Sequence, residues 1–201
     1  MKGQAQSLTP SSPLLEMTQT TETALWNDSA SVSELKYSME HGGVGATCNP
    51  VIVVGILKKE MSVWKPRIKG LVDRFSTATE DEIGWKIVQE MSVTAAELLM
   101  PVYEAHKGRN GRLSIQTDPR LFRDSRAIIS QTKQFNSLAP NMIVKIPVTR
   151  AGVAAIEEAT YLGISINATV CFTMSQCIAV AEAVERGLVR RENEGKDIST
   201  M

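Results

Sequence analysis

The strongest constraint on this chain is a repeated alternation of strand-like and helix-like segments joined by short connections. Short runs of strand-forming residues fall at residues 23–26, 44–47, 113–117, 142–146 and 164–169. Between them the apolar spacing changes to that of helices. Ser31, with Glu34 three residues on, predicts a capping box and a helix ended by Gly42 and Gly43. The apolar run 51–57 after Asn49-Pro50 reads as a helix start, although its Val and Ile leave a strand open. Thr79 and Glu82 predict another capping box, opening a helix to about Ala105. Its core stripe is Ile83, Ile87, Met91, Ala95 and Leu98, with Pro101 as a point of kinking. Further helices are expected over 124–138, with Ile128, Ile129, Thr132 and Phe135 on one side, over 149–162, ended by Gly163, and over 174–190.

Strand–helix alternation of this kind predicts an α/β domain with a parallel sheet wrapped by helices. Two architectures fit: a doubly wound sheet, or part of a (β/α)8 TIM barrel. A closed eight-stranded barrel takes ~250 residues, and this chain of 201 residues carries about five units. Periodicity does not choose between the two. Residues 1–22, rich in Ser, Thr, Gln and Pro, read as a mobile leader with a short helical turn after Pro13. Residues 23–190 then form the barrel-like domain, and 191–201 a charged and polar tail at the truncation point.

Composition removes several function classes. Lys plus Arg number 22 and Asp plus Glu number 22, so there is no bulk positive field to gather nucleic acid or an anionic membrane. A local basic pocket for a phosphate stays open. No run approaches the ~18 apolar residues of a membrane span, and no signal peptide is legible, so the default location is cytoplasmic. Cys48, Cys171 and Cys177 have neither CxxC spacing nor a nearby His pair, so no metal site is expected. The odd count predicts a reducing compartment. Cys171 and Cys177 sit among apolar residues and are expected to be buried structural thiols.

In both parallel architectures the active site lies at the carboxyl ends of the strands. The polar residues there are Asp28, Asn49, Gln116, Asp118, Lys145, Asn167 and Thr169. Lys145 is the most informative, because it stands inside Met142-Ile143-Val144-Lys145-Ile146-Pro147. A buried ammonium is costly, so such a group loses its proton or finds a partner. A neutral amine is what Schiff-base chemistry with a carbonyl needs. The bland alternative is a strand-end lysine that reaches water or pairs with Asp28. Asp28 reads equally as an Asx turn, Asn49-Pro50 as a turn dipeptide, and Thr169 as a plain strand former. Their convergence at one end favours a site.

Four of these segments resemble the motifs of one family. Gly45-Ala46-Thr47-Cys48-Asn49-Pro50 is similar to the Thr-Asn-Pro motif on strand two of transaldolases. Leu113-Ser114-Ile115-Gln116-Thr117-Asp118 resembles their strand-three motif, and Val144-Lys145-Ile146-Pro147-Val148-Thr149 the Lys-Ile-Pro-Ala-Thr motif of the Schiff-base lysine. Ile164-Ser165-Ile166-Asn167-Ala168-Thr169 resembles the strand-five motif. The order and spacing agree from about residue 23 to 190.

The resemblance implies a transaldolase-type (β/α)8 barrel with about five units in this chain. It implies a cytoplasmic transferase of carbohydrate metabolism, in the pentose phosphate pathway, that uses neither metal nor organic cofactor. Such an enzyme moves a dihydroxyacetone unit between sugar phosphates. By motif position, Lys145 would form the Schiff base and Asp28 would act as acid/base. Thr169 would position a water, and Asn49, Asn167 and Thr47 would hold substrate. Gln116 stands where transaldolases usually carry Glu, and glutamine can orient a water but not take its proton. The fructose-6-phosphate aldolase subgroup also carries Gln there, so cleavage without transfer is an alternative. The family's phosphate-binding arginine and serine lie on strands after the fifth. An inactive truncated barrel is therefore a third reading, with self-association through open sheet edges.

Overall fold

The computed structural model describes residues 12–199. Five strands form one parallel sheet: β1 (Leu25–Asn27), β2 (Gly43–Cys48), β3 (Arg112–Gln116), β4 (Met142–Pro147) and β5 (Ile166–Thr169). Their spatial order is β1-β2-β3-β4-β5, the order of the sequence. A doubly wound sheet reverses direction at a switch point and so breaks sequence order. Sequential order means that each crossover steps the same way, which is the winding of a (β/α) barrel.

The sheet also curls. Asn167 Nδ2 on β5 donates to Ser114 Oγ on β3 at 3.1 Å, and Arg112 on β3 reaches Ser165 Oγ at 3.1 Å. Both bonds pass over β4. In a flat sheet strands two apart are separated by about 9.5 Å, so such bonds require that face to be concave. The structure is a half-barrel, an α/β fold with eight α-helices among the described residues.

The helices are α1 (Pro13–Thr20), α2 (Val32–Glu40), α3 (Pro50–Lys59), α4 (Met61–Arg74), α5 (Glu80–Ala105), α6 (Ser125–Asn136), α7 (Arg150–Tyr161) and α8 (Met174–Asn193). The core lies between the convex face of the sheet and these helices. Along β4, Met142, Val144 and Ile146 are buried against the helix layer, while Ile143, Lys145 and Pro147 point the other way and are half-buried. Helix α5 lays Ile83, Ile87, Val88, Met91, Ala95, Ala96 and Leu99 into this core. Leu99 is fully buried and Leu98 only flanks the core. The stripe steps by four residues at each turn, and a fourth such step from Ile83 lands on 99.

Most boundaries follow local chemistry. Thr79 and Glu82 form the expected reciprocal capping box. Asp124, Thr149 and Thr173 cap α6, α7 and α8 through their side-chain oxygens. Gly42 and Gly163 take positive φ angles of 91° and 79° just past α2 and α7, where a side chain would be strained.

Four expectations need correction. The Ser31–Glu34 capping box does not form. Ser31 Oγ instead donates to Glu60 Oε1 at 3.1 Å, and Glu34 pairs with Lys59. Tertiary partners win because α2 packs beside the junction of α3 and α4. Helix α4 has no counterpart in the sequence reading, because Pro66 and Gly70 interrupt its local propensity. Trp64, Ile68 and Leu71 nevertheless keep helical spacing and pack on the core. Residues 13–20 form a full helix rather than a single turn, begun by Ser12 Oγ accepting from Leu15 N–H. The rest of the expected leader, 1–11, lies outside the described residues. At the other end, α8 continues through Asn193, so the expected tail begins as helix.

Candidate active site

The concave face collects the polar strand-end residues. Strand register pairs Gln116 with Lys145 and Lys145 with Asn167, so three consecutive strands bring these residues side by side. Ser114 and Asn167 touch across β4, which fixes their face as concave. Gln116 and Thr169, each two residues further along a strand, share it. Thr169 pairs with Pro147, one step beyond Lys145. Thr47 pairs with Ser114, and its hydroxyl donates to Asp28 Oδ1 at 2.5 Å. Asp28 thus reaches from the end of β1 to β2 on the same face.

Lys145 is half-buried and, among the described residues, has no ion pair or side-chain hydrogen bond. The alternative partnership with Asp28 is not formed; among the described residues the Asp28 carboxylate accepts from the Thr47 hydroxyl instead. A lysine side chain on a strand, flanked by two carboxamides and without a counter-ion among the described residues, has no structural partner.

Asn49 is placed differently. It follows β2 as the N-cap of α3, and its Oδ1 accepts from Ile52 N–H at 2.9 Å, with Pro50 at the first helical position. Its Nδ2 remains for other work. Asn167 is likewise half-committed, through Nδ2, to Ser114. Ser114 was not among the residues singled out in the sequence. A serine between two buried aliphatic residues carries no local signal, and only the curl brings it under Asn167.

The cysteines divide. Cys48 is fully buried on the opposite face of β2, and burial pushes its thiol up to about 11, against a hydrogen bond from Ser92 and the Lys145 charge. This is an inert structural thiol. Cys171 and Cys177 depart from the expectation of burial: Cys171 is half-buried and Cys177 exposed, with their sulfurs 3.3 Å apart. The apolar neighbours that suggested burial, Val170, Phe172, Met174 and Ile178, are themselves exposed.

Asp118, at the end of β3, is engaged in an ion pair. Burial raises its carboxyl, but hydrogen bonds from the Arg120 side chain and backbone outweigh that and hold it below the ordinary value. Arg120 also bridges to Asp81 at the start of α5. Among the described residues no group of three or more His, Cys, Asp or Glu is arranged to hold a metal ion. No described helix is long and apolar enough to cross a membrane.

A singly wound half-barrel with polar residues gathered around an unpaired lysine at its strand ends is a part of a (β/α)-barrel enzyme fold. A family model described as transaldolase/fructose-6-phosphate aldolase matches residues 25–198. A transaldolase of Thermobifida fusca is 32% identical over 187 residues, 89% of this chain and 50% of that protein. Transaldolase 2 of Streptomyces avermitilis is 35% identical over 159 residues, 78% of this chain and 42% of that protein. Transaldolase 1 of the same organism is 45% identical over 107 residues, 52% of this chain and 28% of that protein. The chain belongs to the transaldolase/fructose-6-phosphate aldolase family. It spans half or less of the length of these curated relatives.

Proposed function

We propose that this chain carries the Schiff-base part of a transaldolase-type site, which passes a dihydroxyacetone unit from a ketose phosphate to an aldose phosphate. The observation that carries the reading is Lys145: a lysine on the concave face, without a counter-ion among the described residues, in register between Gln116 and Asn167. In this reaction the Lys145 amine adds to the ketose carbonyl and water leaves, giving a protonated imine. The imine draws electrons from the adjacent C–C bond as the neighbouring hydroxyl gives its proton to a base. Asp28 is the base we assign, kept oriented by the Thr47 hydroxyl. The aldose departs, and the enamine left on Lys145 attacks the next aldose carbonyl in the reverse sequence.

Gln116 and Asn167 supply carboxamides beside the lysine, suited to hydroxyls of the bound unit and to the water that forms and hydrolyses the imine. Thr169 orients that water. Asn49 offers its free Nδ2 to substrate. No cofactor enters this chemistry.

The test is borohydride trapping with a ketose phosphate, followed by peptide mass analysis. The expected adduct is on Lys145 alone, and Lys145→Met removes it with the circular dichroism spectrum unchanged. An adduct on another lysine, or trapping that survives in the variant, would overturn the assignment.

A further inference from the structure

We propose that Cys171 and Cys177 form a reversible redox-modification site, closed to an intramolecular disulfide by a hydroperoxide oxidant. The two sulfurs lie 3.3 Å apart across the turn from β5 into α8. Closing that contact to a bond of ~2.0 Å is a small movement of two side chains.

The turn is built to hold them there. Gln176, beside Cys177 in the first turn of α8, threads its side chain through it. Its Nε2 donates to Val148 O at 3.0 Å and to Val170 O at 3.1 Å. Its Oε1 accepts from Phe172 N–H at 2.9 Å and Thr173 N–H at 3.1 Å. Both ends of the Cys-to-Cys segment are thereby fastened to one side chain. Val170 is held at a φ of 51°, a left-handed conformation that a β-branched residue rarely takes. It directly precedes Cys171, so this strained backbone helps set where the Cys171 side chain points.

The two thiols have different parts. Cys177 is exposed and meets the oxidant first; Cys171 is half-buried behind it. The hydrogen bond to Cys177, then burial, pushes the Cys171 thiol above the ordinary cysteine value, so it waits protonated. The Cys177 thiolate attacks one oxygen of hydrogen peroxide; the O–O bond breaks, hydroxide leaves, and Cys177 becomes a sulfenic acid. The Cys171 sulfur then attacks the Cys177 sulfur. The S–O bond breaks, and the Cys171 proton leaves with the hydroxide as water. In sum, two thiols and one peroxide give one disulfide and two waters, with two electrons passing from sulfur to oxygen. Cys48, enclosed in the core, takes no part.

The test oxidises the full chain with hydrogen peroxide, alkylates remaining thiols and digests with trypsin. Cys171 and Cys177 fall on one tryptic peptide, between Arg150 and Arg186. The expected product is that peptide lighter by two hydrogens and closed to alkylation until a dithiol reductant is added. Cys48 is alkylated as a free thiol once the chain is denatured, and the chain runs as a monomer on a non-reducing gel. In C171S, Cys177 should remain as a sulfenic acid captured by dimedone. In C177S, peroxide should consume Cys171 at least about tenfold more slowly. Both thiols still free in excess peroxide, separate sulfinic acids on the two, or covalent dimers through Cys177 would overturn the proposal.

Discussion

Gln116 stands in register with Lys145 on the neighbouring strand, so what its side chain can do to a water there bears directly on the proposed chemistry. A carboxamide orients water but takes no proton. Gln116→Glu, in the chain joined to the remaining barrel units, should therefore alter kcat for transfer more than KM. A change in KM alone would make Gln116 a binding residue. Asp118 offers a test of a different kind. Its carboxyl is held below the ordinary value by Arg120, so its ion pair contributes stability above the unfolded value of ~3.9. That contribution is lost as pH falls through the lower folded value. Urea midpoints of the native chain and Asp118→Asn should differ near neutral pH and converge as pH falls below the ordinary carboxylate value. A gap that persists in acid would mean that the side chain matters by shape, not charge.

At the scale of elements, the site depends on how helices meet the strand ends. Asn49 ends β2 and caps α3 with the same side chain. Asn49→Ala should cost ~1 kcal/mol through the lost cap, read from thermal unfolding of the chain. If Asn49 also binds substrate through Nδ2, KM rises in Asn49→Asp as well, which retains the cap but has no amide to donate. Helix α7 begins where β4 ends, and its Gly152 lies so close that an added Cβ would sit 1.7 Å from Pro147 O. No rotamer relieves a clash with backbone. Gly152→Ala should push α7 off β4 and cost ~1–3 kcal/mol or more, with weaker borohydride trapping at Lys145 two residues before Pro147. Unchanged stability would show that the first turn of α7 gives way without cost.

For the whole molecule, β1 and β5 each have one neighbour among the described strands, and the concave face has no opposite wall within them. Such edges are templates for further pairing. We expect the chain to associate as its concentration rises, with mass by light scattering above that of its 22.0 kDa monomer. Adding a polypeptide that supplies the remaining barrel units should suppress this. A monomer that unfolds cooperatively at every concentration would mean that the half-barrel stands alone.

Much of this was legible in the sequence because it is local. Alternation of period-2 and period-3.6 apolar spacing determined the order of strands and helices, and Thr79–Glu82, Asp124 and Gly163 marked ends through bonds made within a few residues. Lys145 stood out because an ammonium in an apolar strand is costly wherever the strand lies. What remained depends on residues far apart in the chain. Helix α4 forms because the core holds Trp64, against the local effect of Pro66 and Gly70. Ser31 prefers Glu60 to its own capping box, and the choice of barrel over doubly wound sheet rests on strand order. The bond from Asn167 to Ser114 and the meeting of Cys171 with Cys177 exist only once the sheet has curled and the turn has closed. A sequence dictates what each segment prefers; which distant groups satisfy one another is decided by packing.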